Sequence, residues 1–564
     1  MWQHNYEPIA GSLALSAPVA AIPIVVLFVM LGVLRKAAWI SALAALVSAL
    51  IVALVVYGMP AKLALVSAVY GAAYGVFPIA WIVFASIMLY RLAVDTGKFE
   101  IIKDSVGSLT DDRRLQAMFI AFSFGAFIEG AAGFGAPVAV SGAMLAGLGF
   151  NPFYAAGICL LANTAPVAFG SIGIPVTTLA NVTGLPVLAL SGMVGTLCAM
   201  ISIIIPGYLI VVMAGWKRAI EVWPAIVACG LSFAAVQFYV SRNVGPELTD
   251  ILSSLTCIIV MVAVLKFWKP ANIMRLEGDK PVSISSSKHT GGQIFMAWVP
   301  YLLLVVFVLV WGEREIKPSI NQIGNSVIPA SLPTTAGSAD GLVATRLMVP
   351  GLHNQITRVP PVVPKPAPYA ALYELNWLSA SGTACFLAIL ATALILRVSP
   401  GKVAKTYVDT FKQLKFAILT IASMLGLAYL MNYSGMTSTL GLALAASGAL
   451  FPFFSAVVGW LGVFLTGSDT SANALFGNLQ VVTANAIGLN PILTASVNSA
   501  AGVMGKMISI QSIAVAVAAT GMTRSDESRL FRFTIKHSIL LMAAMGVISM
   551  LFAYVFPQFV PMVE

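Results

Sequence analysis

The chain has 564 residues, of which 59% are hydrophobic and only 9% charged. An ordinary soluble domain carries about a quarter charged residues, so a water-soluble fold is excluded. The formal charge of +10 does not point to nucleic acid, because the basic residues sit in short loops between apolar runs, as cytoplasmic loops of membrane proteins require. Runs such as 13–34, 39–56 and 378–396 each approach the ~20 residues that cross a bilayer as helix. In hydrocarbon every backbone group must be satisfied internally, and continuous apolar runs favour helices over the alternating pattern of a β-barrel.

In chain order, residues 1–8 hold no Lys or Arg, so the first run lacks the basic front of a signal peptide and reads as a retained span. Spans are expected near 11–34, 38–57, 76–92, 115–150 with a break, 153–176 with a break, 189–213, 220–240 and 247–267. The second part adds 294–311, 378–397, 416–431, 438–466, 471–522 with breaks, and 537–559. The expectation is an all-α polytopic membrane protein of about 12–14 transmembrane segments. Basic residues cluster at Arg35 and Lys36, 91–114, Lys217 and Arg218, 266–288, 397–415 and 524–536. With these loops in the cytoplasm, the N-terminus lies outside. The division is then a first half at 1–267, a cytoplasmic loop at 268–292, a transmembrane segment at 293–311, a long external loop at 312–373 and a second half at 374–564. Cys159, Cys198, Cys229, Cys257 and Cys385 lie in apolar segments without CxxC or Cys/His spacing, and read as small core residues rather than metal ligands or disulfides.

An internal repeat is visible. The segment from Ser86 to Gly97 is similar to that from Ser423 to Gly435, and Gly149-Phe-Asn-Pro152 to Gly488-Leu-Asn-Pro491, with offsets 435 − 97 = 338 and 488 − 149 = 339. The loop after Gly97 is cytoplasmic by charge while that after Gly435 falls outside, so the repeats are expected to be inverted. Inverted repeats are a recurrent architecture of secondary transporters, whose solute sits where broken or re-entrant helices of the two halves meet.

Two polar breaks carry the chemistry. Glu129 lies 14 residues after Leu115, about 21 Å along a helix at 1.5 Å per residue. A carboxylate at that depth costs at least ~2.5 to 3.5 kcal/mol, so it needs a partner, a proton or a water-filled cavity. Gly130, Gly133, Gly135 and Pro137 disfavour a continuous helix there. One repeat length on stands Thr466-Gly-Ser-Asp469-Thr-Ser-Ala-Asn473, a break at Gly467 built of hydroxyls and an amide. Ser468, Thr470 and Asn473 can hydrogen-bond a small oxyacid, and Asp469 can carry a proton or pair with a cation. Each break has a companion: Asn163-Thr164-Ala-Pro166 on to Pro175 in the first repeat, and Asn498-Ser499 on to Gln511, with Lys506 inside it, in the second. Helix packing, capping and snorkelling of Lys506 are the plainer structural alternatives.

These residues, in this order, resemble the L-lactate permease family. The matching landmarks are Trp2-Gln-His-Asn-Tyr6, the stretch from Gly125 to Pro137, Asn163-Thr-Ala-Pro-Val-Ala-Phe-Gly170, the stretch from Gly459 to Ser471, and Gly505-Lys-Met-Ile-Ser509. The resemblance runs nearly end to end and is weakest in 266–292 and 313–355. It implies proton-coupled uptake of small 2-hydroxymonocarboxylates, L-lactate with D-lactate and glycolate, across the bacterial cytoplasmic (inner) membrane. No cofactor or metal is implied. From chemistry, Glu129 and Asp469 are the candidate proton carriers, and Asn163, Thr164, Ser468, Thr470, Asn473, Asn498, Ser499 and Lys506 the candidate solute contacts. Na⁺ coupling or another small organic anion is the alternative within transport. An enzyme is disfavoured, since a serine mechanism needs a base and the four histidines lie in loops or at a span edge.

Overall fold

A computed structural model describes residues 1–107, 109–133, 135–275, 289–313, 316–326, 334–339 and 342–562. Its described part is helical apart from six short strands, so the expected all-α membrane architecture holds. Among the described residues ten helices are long and apolar enough to cross a membrane, or twelve if each of two bent pairs counts as one span. The shorter helices of the breaks lie outside that count.

Two differences from the expected spans have physical causes. Helix Ala61–Tyr74 was not anticipated, because its small residues dilute the apolar signal. They serve packing instead: a side chain at Gly71 would stand 2.2 Å from the backbone oxygen of Leu425. Small residues are what allow two membrane helices to approach this closely. The partner helix Pro400–Ser434 is far longer than the expected 416–431, since its first part carries lysines that mask its apolar face.

The loops sort into two sets. The Arg114 guanidinium, fully buried, donates to Asp112 Oδ2 at 2.7 Å, Glu221 Oε2 at 2.6 Å, Arg218 O at 3.0 Å and Asn272 O at 2.7 Å, joining three basic loops. Lys402 Nζ donates to Asp95 O at 2.7 Å, Arg91 to Gln413 at 2.8 Å, and His289 pairs with Asp104, so the 397–415 loop joins the same set. In the expected loop 268–292, residues 276–288 lie outside the described residues. The second set gathers the N-terminus and the described part of 312–373, of which residues 314–315, 327–333 and 340–341 lie outside the described residues. Strand Trp2–Gln3 runs parallel to Ile356–Arg358, which pairs with Ala367–Pro368. A second sheet joins Thr334–Ala339, Leu342–Met348 and Leu372–Glu374.

Between these sets lie two hairpins and two bent helices. The first hairpin descends through Arg113–Gln116, Ala117–Phe124 and Gly125–Ala131, breaks, and returns as Ala136–Gly147. Its open end is closed by Arg113 Nη1 donating to Leu148 O at 2.8 Å. The second hairpin is Phe451–Thr466 and Asp469–Ala486, held antiparallel by Gln480 Nε2 donating to Ser455 O at 3.2 Å. Each hairpin is followed by an Asn-Pro start: Asn151 and Asn490 cap helices Pro152–Ala162 and Pro491–Lys506 by accepting from the second residue beyond. Both of these helices bend at a break, by 64° before Val167–Thr183 and by 41° before Ile510–Ala519.

Candidate functional site

The hairpin tips and the bends meet around one cavity of about 360 Å³. Among its lining residues are Glu129, Ser468, Asp469, Thr470, Lys506 and Gln511. It reaches outward to Trp39, in the first turn of helix Ala38–Val55, and to the half-exposed Phe416, midway along helix Pro400–Ser434, the two rings stacked at 5.4 Å.

Backbone geometry builds the tips. Gly133 has φ of +61°, and a side chain there would lie 2.1 Å from Ser171 Oγ. Ser171 donates to Ala132 O at 2.8 Å and so stitches the first tip to the first bent helix. Ser171, Ile172 and Gly173 hold φ of 47°, 60° and 70°, a left-handed run in which the two non-glycine residues each cost of order 1–3 kcal/mol. Such strain persists only where the surroundings over-determine the backbone. Gly135 caps the returning helix and Pro137 occupies its first turn, as their break roles require, while Pro166 lies in the bend. Gly130 is a correction: it stays helical, and its missing side chain admits Asp250, whose Cβ would lie 2.8 Å away. Phe134 lies outside the described residues. At the second tip Gly467 has φ of +70°, and Ser468 caps the helix that starts at Asp469 by accepting from Ser471 N at 3.2 Å.

Of the expected solute contacts, Ser468, Thr470 and Lys506 reach the cavity, whereas Asn163, Thr164, Asn473, Asn498 and Ser499 lie behind its wall. Of these, Asn473, Asn498 and Ser499 form a support network. Ser499 Oγ donates to Asp469 Oδ2 at 2.6 Å and Asn473 Nδ2 to the same oxygen at 3.3 Å. Asn473 Nδ2 also reaches Pro175 O in the first bent helix at 3.1 Å. Asn498 Nδ2 donates to Asn473 Oδ1 at 2.9 Å, and Gln480 to Asn498 Oδ1 at 3.1 Å. Thr164 spends its hydroxyl on Leu161 O at 2.7 Å. Lys506 Nζ donates to Gly467 O at 2.8 Å, so the lysine belongs to the second tip and not to a distant interface.

Around Glu129 the pattern is the reverse. Asn163 stands beside its carboxylate, and Glu129 Oε2 is buried without a hydrogen-bond partner. Both oxygens of Asp250 and Asp469 Oδ1 share that condition. Buried polar groups left unsatisfied are rare enough that a cluster of them marks a place for a proton, a cation or a polar solute. Sequence reasoning missed Asp250, which stands at the start of helix Thr249–Phe267 and looks like an interfacial residue. Ser171 and Gln511 fall inside the companion breaks expected at 163–175 and 498–511, though neither was singled out there as a site residue. The Gly170-Ser-Ile-Gly173 spacing was the available signal for Ser171.

Comparison with known proteins fits this geometry. Residues 16–556 match the family described as L-lactate permease. The chain is 48% identical to the L-lactate permease of Bacillus subtilis (strain 168), covering 99% of this chain and 100% of that one. It is 45% identical to the glycolate permease GlcA of Escherichia coli (strain K12), covering 98% of each. Among solved structures, MtrF of Neisseria gonorrhoeae aligns over 86% of this chain and 83% of its own at 10% identity and a TM-score of 0.44, a likeness that carries no argument. With a family match and whole-length relatives in agreement with a multi-pass helical fold, this chain belongs to the L-lactate permease family.

Proposed function

We propose that this chain is a secondary transporter that imports L-lactate, and also D-lactate and glycolate, by proton symport across the bacterial cytoplasmic membrane, with its N-terminus outside. The names of its relatives supply the cargo class, lactate and glycolate. The observation that carries the mechanism is the meeting of Lys506, Asp469 and the start of helix Asp469–Ala486 in one cavity. A helix N-terminus and an ammonium together favour an anion. Asp469 sits in that first turn and competes for the same positive potential. A proton on Asp469 removes the competitor and leaves Lys506 and the helix N-terminus to a substrate carboxylate, which is the elementary logic of symport. Ser468 and Thr470 are placed to bond the solute's carboxylate and hydroxyl. Glu129 is the second proton-carrying group, since it is the other carboxylate that lines the cavity.

We further read the two hairpin and bent-helix pairs as inverted repeats that move as a core against a scaffold of continuous helices. In support, the open end of the first hairpin adjoins the basic loops, through Arg113 and Leu148, while the second adjoins the other set, through Thr483 donating to Gly441 O and Thr439 to Tyr6 O. The basic set is assigned to the cytoplasm by charge. The cavity's outlet at Trp39 and Phe416 then makes this conformation an inward-facing one.

Purified protein in proteoliposomes tests the reading. Labelled L-lactate should accumulate when the lumen is alkaline relative to the outside, and not under a sodium gradient at constant pH. Competition should follow with D-lactate and glycolate. Accumulation driven by sodium alone would replace proton symport with the Na⁺-coupled alternative.

A further inference from the structure

A second cavity of about 370 Å³ lies in the loop set of the N-terminus and shares no lining residue with the central one. At ~30 Å³ per water it has the volume of roughly a dozen waters, ample for a small carboxylate. Arg358 is the only charged side chain among its described lining residues besides the imidazole of His4. Burial lowers His4 to about 4, and the nearby Arg358 pushes the same way, so His4 is neutral at ordinary pH. The guanidinium lies 4.6 Å above the ring of Tyr369, which stacks on Tyr433 at 4.3 Å. Its Nε is buried without a hydrogen-bond partner, and no carboxylate pairs with it among the described residues. Asn432 and Asn478 add amides to the wall.

The same helices line both cavities. From Ile421 to Tyr429 is 8 residues of helix, about 12 Å at 1.5 Å per residue, and from Ser471 to Asn478 is 7 residues, about 10 Å. The layer between is closed by Tyr429 Oη donating to Asn181 O at 3.2 Å and by Asn478 Nδ2 donating to Asn432 Oδ1 at 3.1 Å. Both bonds join the long helix Pro400–Ser434 to elements of the broken core, so they are the contacts that must part for the central cavity to open to this side. A roof is pinned over the cavity by Tyr70 Oη donating to Leu372 O at 2.6 Å and Tyr433 Oη to Ala370 O at 2.6 Å.

We propose that this cavity is an antechamber in which Arg358 and the Asn432 and Asn478 amides bind a small hydroxycarboxylate before it enters the central site. The proposal rests on the import reading for its direction, and on its own geometry for the binding. It gives the 312–373 segment a solute-facing role instead of that of a passive linker. A guanidinium held flat by an aromatic ring, with its hydrogen-bonding edge unpaired, is suited to a carboxylate. An unpaired cation at an entrance also draws anions in, an effect that salt screens.

The plain alternative is that Arg358 only holds the loop through Tyr369, and the test separates the two. L-lactate uptake is measured in intact cells and in inside-out vesicles for wild type, Arg358→Gln and Arg358→Lys, at low and physiological ionic strength. Arg358→Gln should raise the KM of uptake by cells roughly tenfold, the loss of one charge-assisted hydrogen bond, with an unchanged maximal rate. The KM in inside-out vesicles should not move. Arg358→Lys should recover most of the loss, and the salt dependence of wild type should vanish in Arg358→Gln. An unchanged KM, or equal falls in maximal rate and yield in both variants, would overturn the proposal. Calorimetric titration of L-lactate into the purified Lys506→Gln variant, with and without Arg358→Gln, keeps the two readings apart. Binding that depends on Arg358, together with no L-lactate uptake by the wild-type protein, would sink import and keep the antechamber, whereas no such binding would sink the antechamber.

Discussion

The two breaks line one cavity yet are built from opposite materials. At the first, glycines and a left-handed run at Ser171 shape the backbone, and Glu129 Oε2 and both oxygens of Asp250 are left unsatisfied. At the second, a capped helix start leads into a chain of side-chain hydrogen bonds from Asp469 through Ser499, Asn473 and Asn498 to Gln480. A buried hydrogen-bond network rigidifies what it holds, here leaving only Asp469 Oδ1 and Gln480 Oε1 without partners, while an unsatisfied cluster invites a proton or an ion. On the proposed reading, the difference makes the second break the anion seat, while the first supplies shape and an ionisable group.

The sharpest way to break this contrast is at Lys506. Lys506→Gln removes a charge-assisted contact worth ~1.5–3 kcal/mol, so the KM for L-lactate should rise by roughly 10- to 150-fold, with Lys506→Arg milder. Initial uptake rates against concentration in proteoliposomes check this. Next comes the first break: Glu129→Gln should lower pH-driven accumulation about tenfold, and Asp250→Asn by less, because Glu129 lines the cavity and Asp250 stands behind it. Comparing steady-state accumulation in the two variants tests that order. A smaller effect, on stability, follows from backbone shape. Gly133→Ala forces a side chain into a left-handed residue and against Ser171, costing ~1–3 kcal/mol and lowering the thermal midpoint in detergent. Smallest is Ser468→Ala, which removes an N-cap worth ~1 kcal/mol. It should lower the same midpoint less than Gly133→Ala does.

Much of this was legible in the chain. Apolar run length gave most spans, and glycines around a buried Glu129 marked the first break. The repeated Gly-x-Asn-Pro found the helix starts capped by Asn151 and Asn490. What was hidden depended on tertiary contact. Helix Ala61–Tyr74 is defined by packing of its small residues on Leu425, a partner more than 350 positions away in sequence. Asn473, Asn498 and Ser499 have the chemistry of solute ligands, and only their mutual hydrogen bonds reveal that they hold Asp469 instead. Asp250 sits near a span end in sequence, but Gly130 lets it come into the first break. Arg358 lies in a segment with no span signal, so nothing in its local sequence tied it to a cavity.

The central claim is that a proton on Asp469 and a carboxylate beside Lys506 travel together. It is tested most directly by comparing two modes of transport in proteoliposomes of the Asp469→Asn variant. The amide mimics the protonated acid, so counterflow of labelled against unlabelled L-lactate should persist while accumulation driven by a pH gradient falls to the level of passive equilibration. Full pH-driven accumulation by Asp469→Asn would contradict the account.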